Sequence, residues 1–136
     1  MPFPRLALAY LLTAVVFFAI DIVWLGFAAK GLYNKYLGSF LAEQVNWTAA
    51  IIFYLLFIVG IFIFAIMPSV EKDSVMKAIQ LGALFGFFTY ATYDLTNLAT
   101  LKDWPLKIVL IDIVWGAFLT ASVSLAGFYI VKWLNG

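Results

Sequence analysis

Four long apolar runs, separated by short polar segments, dominate the pattern of this 136-residue sequence. They cover residues 6–29, 47–67, 75–101 and 106–133. Each run contains the roughly 20 mainly apolar residues that a helix needs to cross the hydrocarbon core of a bilayer. The pattern therefore predicts an all-α integral membrane protein. It forms a single domain over residues 1–136, in which four transmembrane helices pack as an antiparallel bundle.

The polar segments between the runs predict where the chain turns. Pro68 is expected to end the second span, with residues 71–73 forming the following turn. Residues 102–105 make a tight reversal before the fourth span, and Pro105 suits the first turn of its helix. The first span is too long for a cleaved signal peptide and contains Asp21 and Trp24, so we interpret it as a retained helix.

The segment of residues 30–45 has a different pattern from the four spans. Its large apolar side chains recur at nearly helical spacing: Leu32, Tyr33, Tyr36, Leu37, Phe40 and Leu41. This spacing favours a short interfacial helix between the first two spans, with Gly31 and Gly38 as breaks. The alternative is an ordinary loop with aromatic anchors.

Composition supports a membrane location and removes several kinds of chemistry. The chain is 66% hydrophobic and 11% charged, with neither cysteine nor histidine, and its mean hydropathy is +1.08. Thiol chemistry, imidazole bases and histidine-based metal sites are thereby excluded. A net charge of +1 gives no electrostatic reason to bind nucleic acid. The expected environment is a lipid bilayer. The Lys and Arg counts on the two sides tie, so both termini in the cytoplasm and insertion in both orientations remain open, with the first preferred.

Asp21, Asp94 and Asp112 interrupt three of the four apolar runs. We call the side of the bilayer that carries the N-terminus side A and the opposite side B. In an antiparallel bundle, each aspartate lies about seven residues from side B. At the helical rise of 1.5 Å per residue, all three are expected at one level, roughly 10 Å below that surface.

The pentapeptide I-D-I-V-W occurs twice, at residues 20–24 and 111–115. An inverted repeat would place one of the two aspartates towards side A. The repetition therefore indicates two similar local environments rather than a symmetric transporter. Trp24 and Trp115 each follow an aspartate by three residues, on the same helical face. An indole ring beside a carboxyl can donate one hydrogen bond and exclude lipid.

The third helix is predicted to be the most polar of the four. Gly82, Gly86, Tyr90, Asp94 and Asn97 fall on one stripe. The G-x-x-x-G pattern permits close packing, either inside the bundle or in a homodimer. Asn46, at the side B end of the second helix, would complete a polar layer.

Three acids at one depth, without a buried Lys or Arg, predict an unusual site. Insertion of a charged side chain costs on the order of 2.5–3.5 kcal/mol, so we expect that most of the aspartates are protonated, that a cation neutralises them, or that water reaches them. The candidate ligand- or proton-binding residues are Asp21, Asp94, Asp112, Asn97, Tyr90, Trp24, Trp115 and Asn46. The aspartates could also supply oxygen ligands to a metal cation, the one cofactor this pattern allows. The alternative is that these groups hold the helices together by hydrogen bonds.

Two stretches carry a resemblance to a known family. They are G-A-L-F-G-F-F-T-Y-A-T-Y-D-L-T-N-L-A-T-L-K-D-W-P at residues 82–105, and the two D-I-V-W segments with their following glycines. With these, the chain resembles the bacterial membrane proteins grouped as domain-of-unknown-function family 2177 over nearly its whole length. The resemblance implies a small polytopic membrane protein and supplies no activity.

Three functions fit these observations. The first is a transport-type protein whose carboxylates bind a proton, a cation or a cationic ligand. The second is an intramembrane enzyme acting on a lipid or another apolar substrate, with aspartates as acid and base. The third is a structural membrane subunit whose acids pair with a basic transmembrane partner.

Overall fold

The computed structural model describes residues 2–41 and 44–136, and every regular element in these ranges is helical. Helix α1 (Phe3–Trp24) continues through a π-helical turn (Leu25–Ala29) into α2 (Lys30–Leu37). Helix α3 (Trp47–Ile61) continues through a second π-helical turn (Phe62–Ile66) into α4 (Met67–Glu71). Helices α5 (Val75–Thr100) and α6 (Leu106–Asn135) complete the chain.

Three stretches of helix are long and apolar enough to cross a membrane: Phe3–Phe27, Trp47–Glu71 and Leu106–Asn135. They confirm three of the four predicted spans. Helix α5 has 26 residues, which gives it a length of roughly 39 Å. Its polar side chains, among them Asp94 and Asn97, make it less apolar than the other three.

The two predicted reversals lie where the sequence placed them. Ser74 caps α5 by accepting a hydrogen bond from the backbone N–H of Lys77 at 3.1 Å. Pro105 occupies the N-cap of α6, and Asp73 and Asp103 have positive φ angles in the two turns. Aspartate tolerates this left-handed conformation better than most residues, which suits it to such tight turns.

The prediction that Pro68 ends the second span was wrong. The helical backbone passes through Pro68 to Glu71, with the π-helical turn directly before it. A proline inside a helix lacks an N–H and crowds the carbonyl one turn earlier. The wider π turn is a common way for a helix to accommodate such a defect without ending.

The segment between the first two spans is partly helical, as predicted. Helix α2 ends before Gly38, but Gly31 lies inside the helix rather than at a break. Leu37 packs in a cluster with Trp104, Ile108 and Val109 at the start of α6. Residues 42 and 43 of the predicted interfacial segment lie outside the described residues. Helix α2 therefore covers the end of the molecule where α6 begins.

Small residues allow α5 and α6 to pack most closely of all the helices. A methyl group at Gly86 would collide with the backbone carbonyl of Gly116, and one at Gly82 would collide with α6 near Thr120. A methyl group at Gly116 would meet the ring of Tyr90. The G-x-x-x-G pattern thus serves packing inside the chain.

The two ends of the helical array are fixed by different contacts. At one end, Lys132 of α6 forms an ion pair with Asp73 in the turn before α5. At the other end lies the cluster of Leu37, Trp104, Ile108 and Val109. Between them, an apolar core joins α1, the α3–α4 segment and α6 through residues such as Phe17, Ile61 and Val123. The antiparallel course of α5 and α6 brings residues near the ends of α1 and α5 beside the start of α6.

Candidate functional site

A cavity of about 210 Å³ lies where α1, α2, α3, α5 and α6 approach one another. All three aspartates line it. Of the eight residues predicted for the site, six are in its wall: Asp21, Trp24, Tyr90, Asp94, Asp112 and Trp115. These six side chains are far apart in the sequence, and the fold brings them to one cavity.

Asp94 is the most deeply buried of the three acids. Its side chain is 0% exposed, and no described residue donates a hydrogen bond to either carboxyl oxygen. The carboxyl of Asp112 is a neighbouring acid in the wall of the same cavity. Two ionised carboxylates are both acceptors, so a hydrogen bond between them exists only when one carries a proton. The pair therefore has a place for one proton, or for a ligand that donates hydrogen bonds.

Asp112 differs from Asp94 because it has a strong donor. The hydroxyl of Tyr33 on α2 donates a hydrogen bond to Asp112 Oδ1 at 2.6 Å. Burial and this hydrogen bond raise the pKa of the Tyr33 phenol well above its usual value near 10. The phenol therefore stays protonated and available as a donor throughout the physiological pH range. A donor of this kind favours the ionised form of the carboxyl it contacts.

Asp21 has weaker support from its surroundings. Tyr54 of α3 donates to Asp21 Oδ2 at 3.4 Å, which is near the limit for a hydrogen bond. The indole of Trp115, from α6, also lies within hydrogen-bonding reach of this carboxyl. Only 8% of Asp21 is exposed, so its charge is poorly hydrated. It forms a second acidic position at the wall of the same cavity.

The two copies of I-D-I-V-W face each other across the contact between α1 and α6. Trp24 and Trp115 stack with ring centroids 4.3 Å apart and an interplanar angle of 9°. Trp115 lies by Asp21 of the other copy, and the buried indole N–H of Trp24 has no hydrogen-bond partner in the described part of the chain. Trp24 therefore makes no hydrogen bond to Asp21, the aspartate of its own helix. The copies instead form one interhelical contact.

Neither of the two predicted asparagines lines the cavity. Asn46 is exposed and caps α3, where its side chain accepts a hydrogen bond from the N–H of Ala49 at 3.1 Å. A side chain used as an N-cap is held at the helix end and cannot reach a site one or two turns deeper. Asn97 lies one turn beyond Asp94 on α5 and is close to Tyr93. The polar layer therefore does not extend to these two positions.

The prediction of a three-carboxylate metal site finds no support in the side-chain positions. Within residues 2–41 and 44–136, no group of three His, Cys, Asp or Glu side chains is arranged to hold a metal ion. The three aspartates share one cavity wall without converging on a single point. Two of them, Asp94 and Asp112, form the close pair.

Sequence reasoning missed the hydrogen-bond donors of the site. Tyr33 belonged to the predicted interfacial segment, and Tyr54 was one of many aromatic residues in the second span. Trp104 was placed in a turn, yet it is buried and lines the cavity. The sequence offered only an indirect reason to expect these donors. Several acids without nearby bases need neutral hydrogen-bond donors, and the phenol hydroxyl of tyrosine is one that an apolar chain can supply.

Together, the long apolar helices and the buried acids define a helical membrane protein with a polar cavity. A family model described as "predicted membrane protein (DUF2177)" matches residues 6–129. The chain belongs to this family, as its resemblance indicated. Comparison with curated proteins finds no match, and comparison with solved structures finds none either.

Proposed function

We propose that this protein binds a proton, or a cation in its place, at the pair formed by Asp94 and Asp112, and that it is a transport-type membrane protein. The single observation that carries the proposal is the Asp94 carboxyl. It is fully buried, both of its oxygens lack a donor among the described residues, and its neighbour is a second carboxyl.

The energetics of burial explain why such a pair binds positive charge. An ionised carboxylate away from water is costly unless a partner compensates it, and two adjacent negative charges repel one another. Tyr33 supports a charge on Asp112, whereas Asp94 has no comparable donor. We therefore assign the proton to Asp94 and the negative charge to Asp112 when no ligand is bound.

A pair of carboxyls that carries one proton can exchange that proton for a cation. An incoming cation would take the place of the proton, which would leave to water, and the net charge in the cavity would stay the same. Exchange at constant charge avoids the cost of exposing two bare carboxylates to the apolar interior. This is the property that a coupled transport site requires.

The proposal includes the four-helix architecture that the sequence predicts. In this arrangement α5 crosses the bilayer with the three more apolar stretches, and its buried Asp94 faces the interior of the bundle. Intramembrane acids commonly face a bundle interior or a water-filled cavity and mark an ion pathway. We place the protein in the bacterial inner membrane with both termini in the cytoplasm.

Infrared spectroscopy of the purified protein in lipid nanodiscs tests the proton assignment. The carbonyl stretch of a protonated carboxyl should be present at neutral pH in the wild type and absent in Asp94→Asn. It should persist in Asp103→Asn, a control that removes an exposed aspartate. Addition of ethylammonium chloride should remove the band and release a proton to the medium.

Ion fluxes into proteoliposomes test the transport role. Proteoliposomes containing the wild type should exchange protons for ethylammonium, sodium or potassium, and both Asp94→Asn and Asp112→Asn should abolish the exchange. Identical spectra for the wild type and Asp94→Asn at neutral pH would contradict the proposal. Fluxes that survive both substitutions would contradict the transport role.

A further inference from the structure

A second cavity adjoins the acidic one and opens to the outside of the helical array. It has a volume of about 410 Å³, and its walls are mainly aromatic: Phe53, Phe57, Thr89, Tyr90, Tyr93 and Asp112. Four of these residues also line the first cavity. The two spaces therefore meet at Asp112 and Tyr90.

The opening lies between α3 and α5. Over the described residues, α3 packs on α1 and α6, and the segment that follows it approaches α5 closely in the π-helical turn Phe62–Ile66 and in α4. Aromatic side chains bridge the remaining gap: Phe57 stacks on Phe85 at 5.4 Å and meets the edge of Tyr90 at 6.2 Å. Side chains of this kind separate more readily than packed backbones.

The rim of the gap faces the lipid. Phe53 on α3 is 53% exposed and Tyr93 on α5 is 58% exposed. Both are large, and both lie beside the opening of the second cavity. In a helix pair that spans the bilayer, such a gap connects the cavity with the hydrocarbon phase rather than with water.

We propose that the Asp94–Asp112 site takes an amphiphile with a primary or secondary ammonium head and an apolar tail, which enters sideways from the bilayer between α3 and α5. This inference rests on the proposed function and specifies the ligand of the same site. The head occupies the acidic cavity, and the tail lies in the aromatic one.

Charge and hydrogen bonding select the head. No described Lys or Arg lines either cavity, and the polar side chains in the two walls are acids, phenols, indoles and the hydroxyl of Thr89. Both oxygens of Asp94 lack donors. A primary or secondary ammonium supplies N–H donors to them, whereas a quaternary ammonium has none. The rings of Tyr90 and Trp24 add favourable contacts for a cation.

Cavity size supports the division into head and tail. Pockets for drug-sized ligands have volumes of roughly 300–1,000 Å³, and the acidic cavity alone is below that range. The aromatic cavity supplies the missing space and is open to lipid. A tail that moves from lipid into this cavity gains little free energy, because lipid tails are as apolar as the cavity walls. The tail instead concentrates the ligand in the bilayer, by about 0.8 kcal/mol per methylene group.

Thermal unfolding in nanodiscs, followed by tryptophan fluorescence, tests the proposal with three probes: dodecylammonium, ethylammonium and dodecyl phosphate. Dodecylammonium should raise the unfolding temperature at a total concentration at least about 100-fold below that needed for ethylammonium, because it partitions into the bilayer. Dodecyl phosphate should give no increase. Asp94→Asn should abolish the response to both ammonium probes.

A substitution that fills the gap between α3 and α5 tests the entry route independently of the Asp94–Asp112 site. Thr89→Trp places a large ring in the aromatic cavity, at a position that does not line the acidic cavity. It should raise the half-saturating concentration of dodecylammonium at least tenfold and leave the ethylammonium response intact. The matched control is Leu84→Trp, at an exposed position of the same helix outside both cavities. If Thr89→Trp does not fold, Thr89→Leu is a milder filling substitution.

Each result bears on a different claim. If dodecylammonium is no better than ethylammonium, or if Thr89→Trp leaves its binding unchanged, lateral entry is wrong and the cation site stands. If dodecyl phosphate stabilises the protein equally well, the ammonium head is wrong. If no ammonium probe distinguishes the wild type from Asp94→Asn, both this inference and the proposed function are wrong.

Discussion

At the scale of single residues, the three aspartates differ mainly in the hydrogen-bond donors that contact them. Asp112 has a phenol at 2.6 Å, Asp21 has one at 3.4 Å, and Asp94 has none among the described residues. In a medium that hydrates charge poorly, each donor offsets part of the cost of burying the carboxyl it contacts. The same residue type can therefore play three roles in one cavity.

Replacing Tyr33 by Phe tests this division of roles. The substitution leaves the half-buried Asp112 without its best donor, so we expect a loss of about 1–3 kcal/mol in unfolding free energy. Tyr54→Phe removes a longer bond and should cost less than half as much. Unfolding in mild detergent by denaturant titration measures both. Equal losses for the two variants would contradict the assignment.

The raised pKa of Tyr33 gives this contribution a pH dependence. Because the folded protein holds the phenol protonated more strongly than the unfolded chain does, the contribution is complete below about pH 10, the ordinary pKa of tyrosine. It decreases as the pH rises further towards the folded-state pKa. The stability difference between wild type and Tyr33→Phe should therefore be constant from pH 6 to about pH 9.

At the scale of helices, the closest contact is between α5 and α6, where glycines face carbonyls and rings instead of side chains. Gly86→Ala should separate these helices, because its methyl group collides with backbone rather than with a movable side chain. We expect a cost of about 1–3 kcal/mol. Gly26→Ala is the control, since nothing lies within 4 Å of the added methyl. Detergent-resistance and denaturant titrations compare them, and equal stability would refute the packing account.

The contact between α1 and α6 depends on the stacked indoles. A double-mutant cycle with Trp24→Leu and Trp115→Leu should give a coupling energy of about 0.5–1.5 kcal/mol. Either single substitution should also remove the circular dichroism signal that two parallel indoles 4.3 Å apart produce. Additive losses together with an unchanged spectrum would mean that the two rings do not interact.

For the whole molecule, the decisive question is whether α5 crosses the bilayer. If it does, the turn before α5 and the turn after it lie on opposite sides. The chain has no cysteine, so Lys72→Cys and Lys102→Cys each introduce a single reactive thiol. A membrane-impermeant maleimide added to intact cells should label Lys102→Cys and leave Lys72→Cys unlabelled until the cells are opened. Labelling of both positions from one side would contradict the four-span arrangement.

The sequence predicted the spans better than the contacts between them. Runs of apolar residues revealed three membrane-crossing stretches, and Pro105 and the acidic turns indicated the reversals. The rotation of each helix about its axis, which decides the face it turns to its neighbours, was harder to predict from the sequence. In water a helix shows its buried face by amphipathic periodicity, but in lipid the exposed face is as apolar as the core. The stacking of Trp24 on Trp115 was not predicted from the sequence for this reason.

By itself, the sequence determined that this chain is a helical membrane protein and that Asp21, Asp94 and Asp112 are set into apolar runs, because run length and buried charge are local properties. Only the tertiary structure decided that Asp94 faces Asp112 without a donor, that Tyr33 returns to support Asp112, and that the two tryptophans stack. These contacts join residues up to 91 positions apart, and they depend on helix rotations that an apolar surface does not encode.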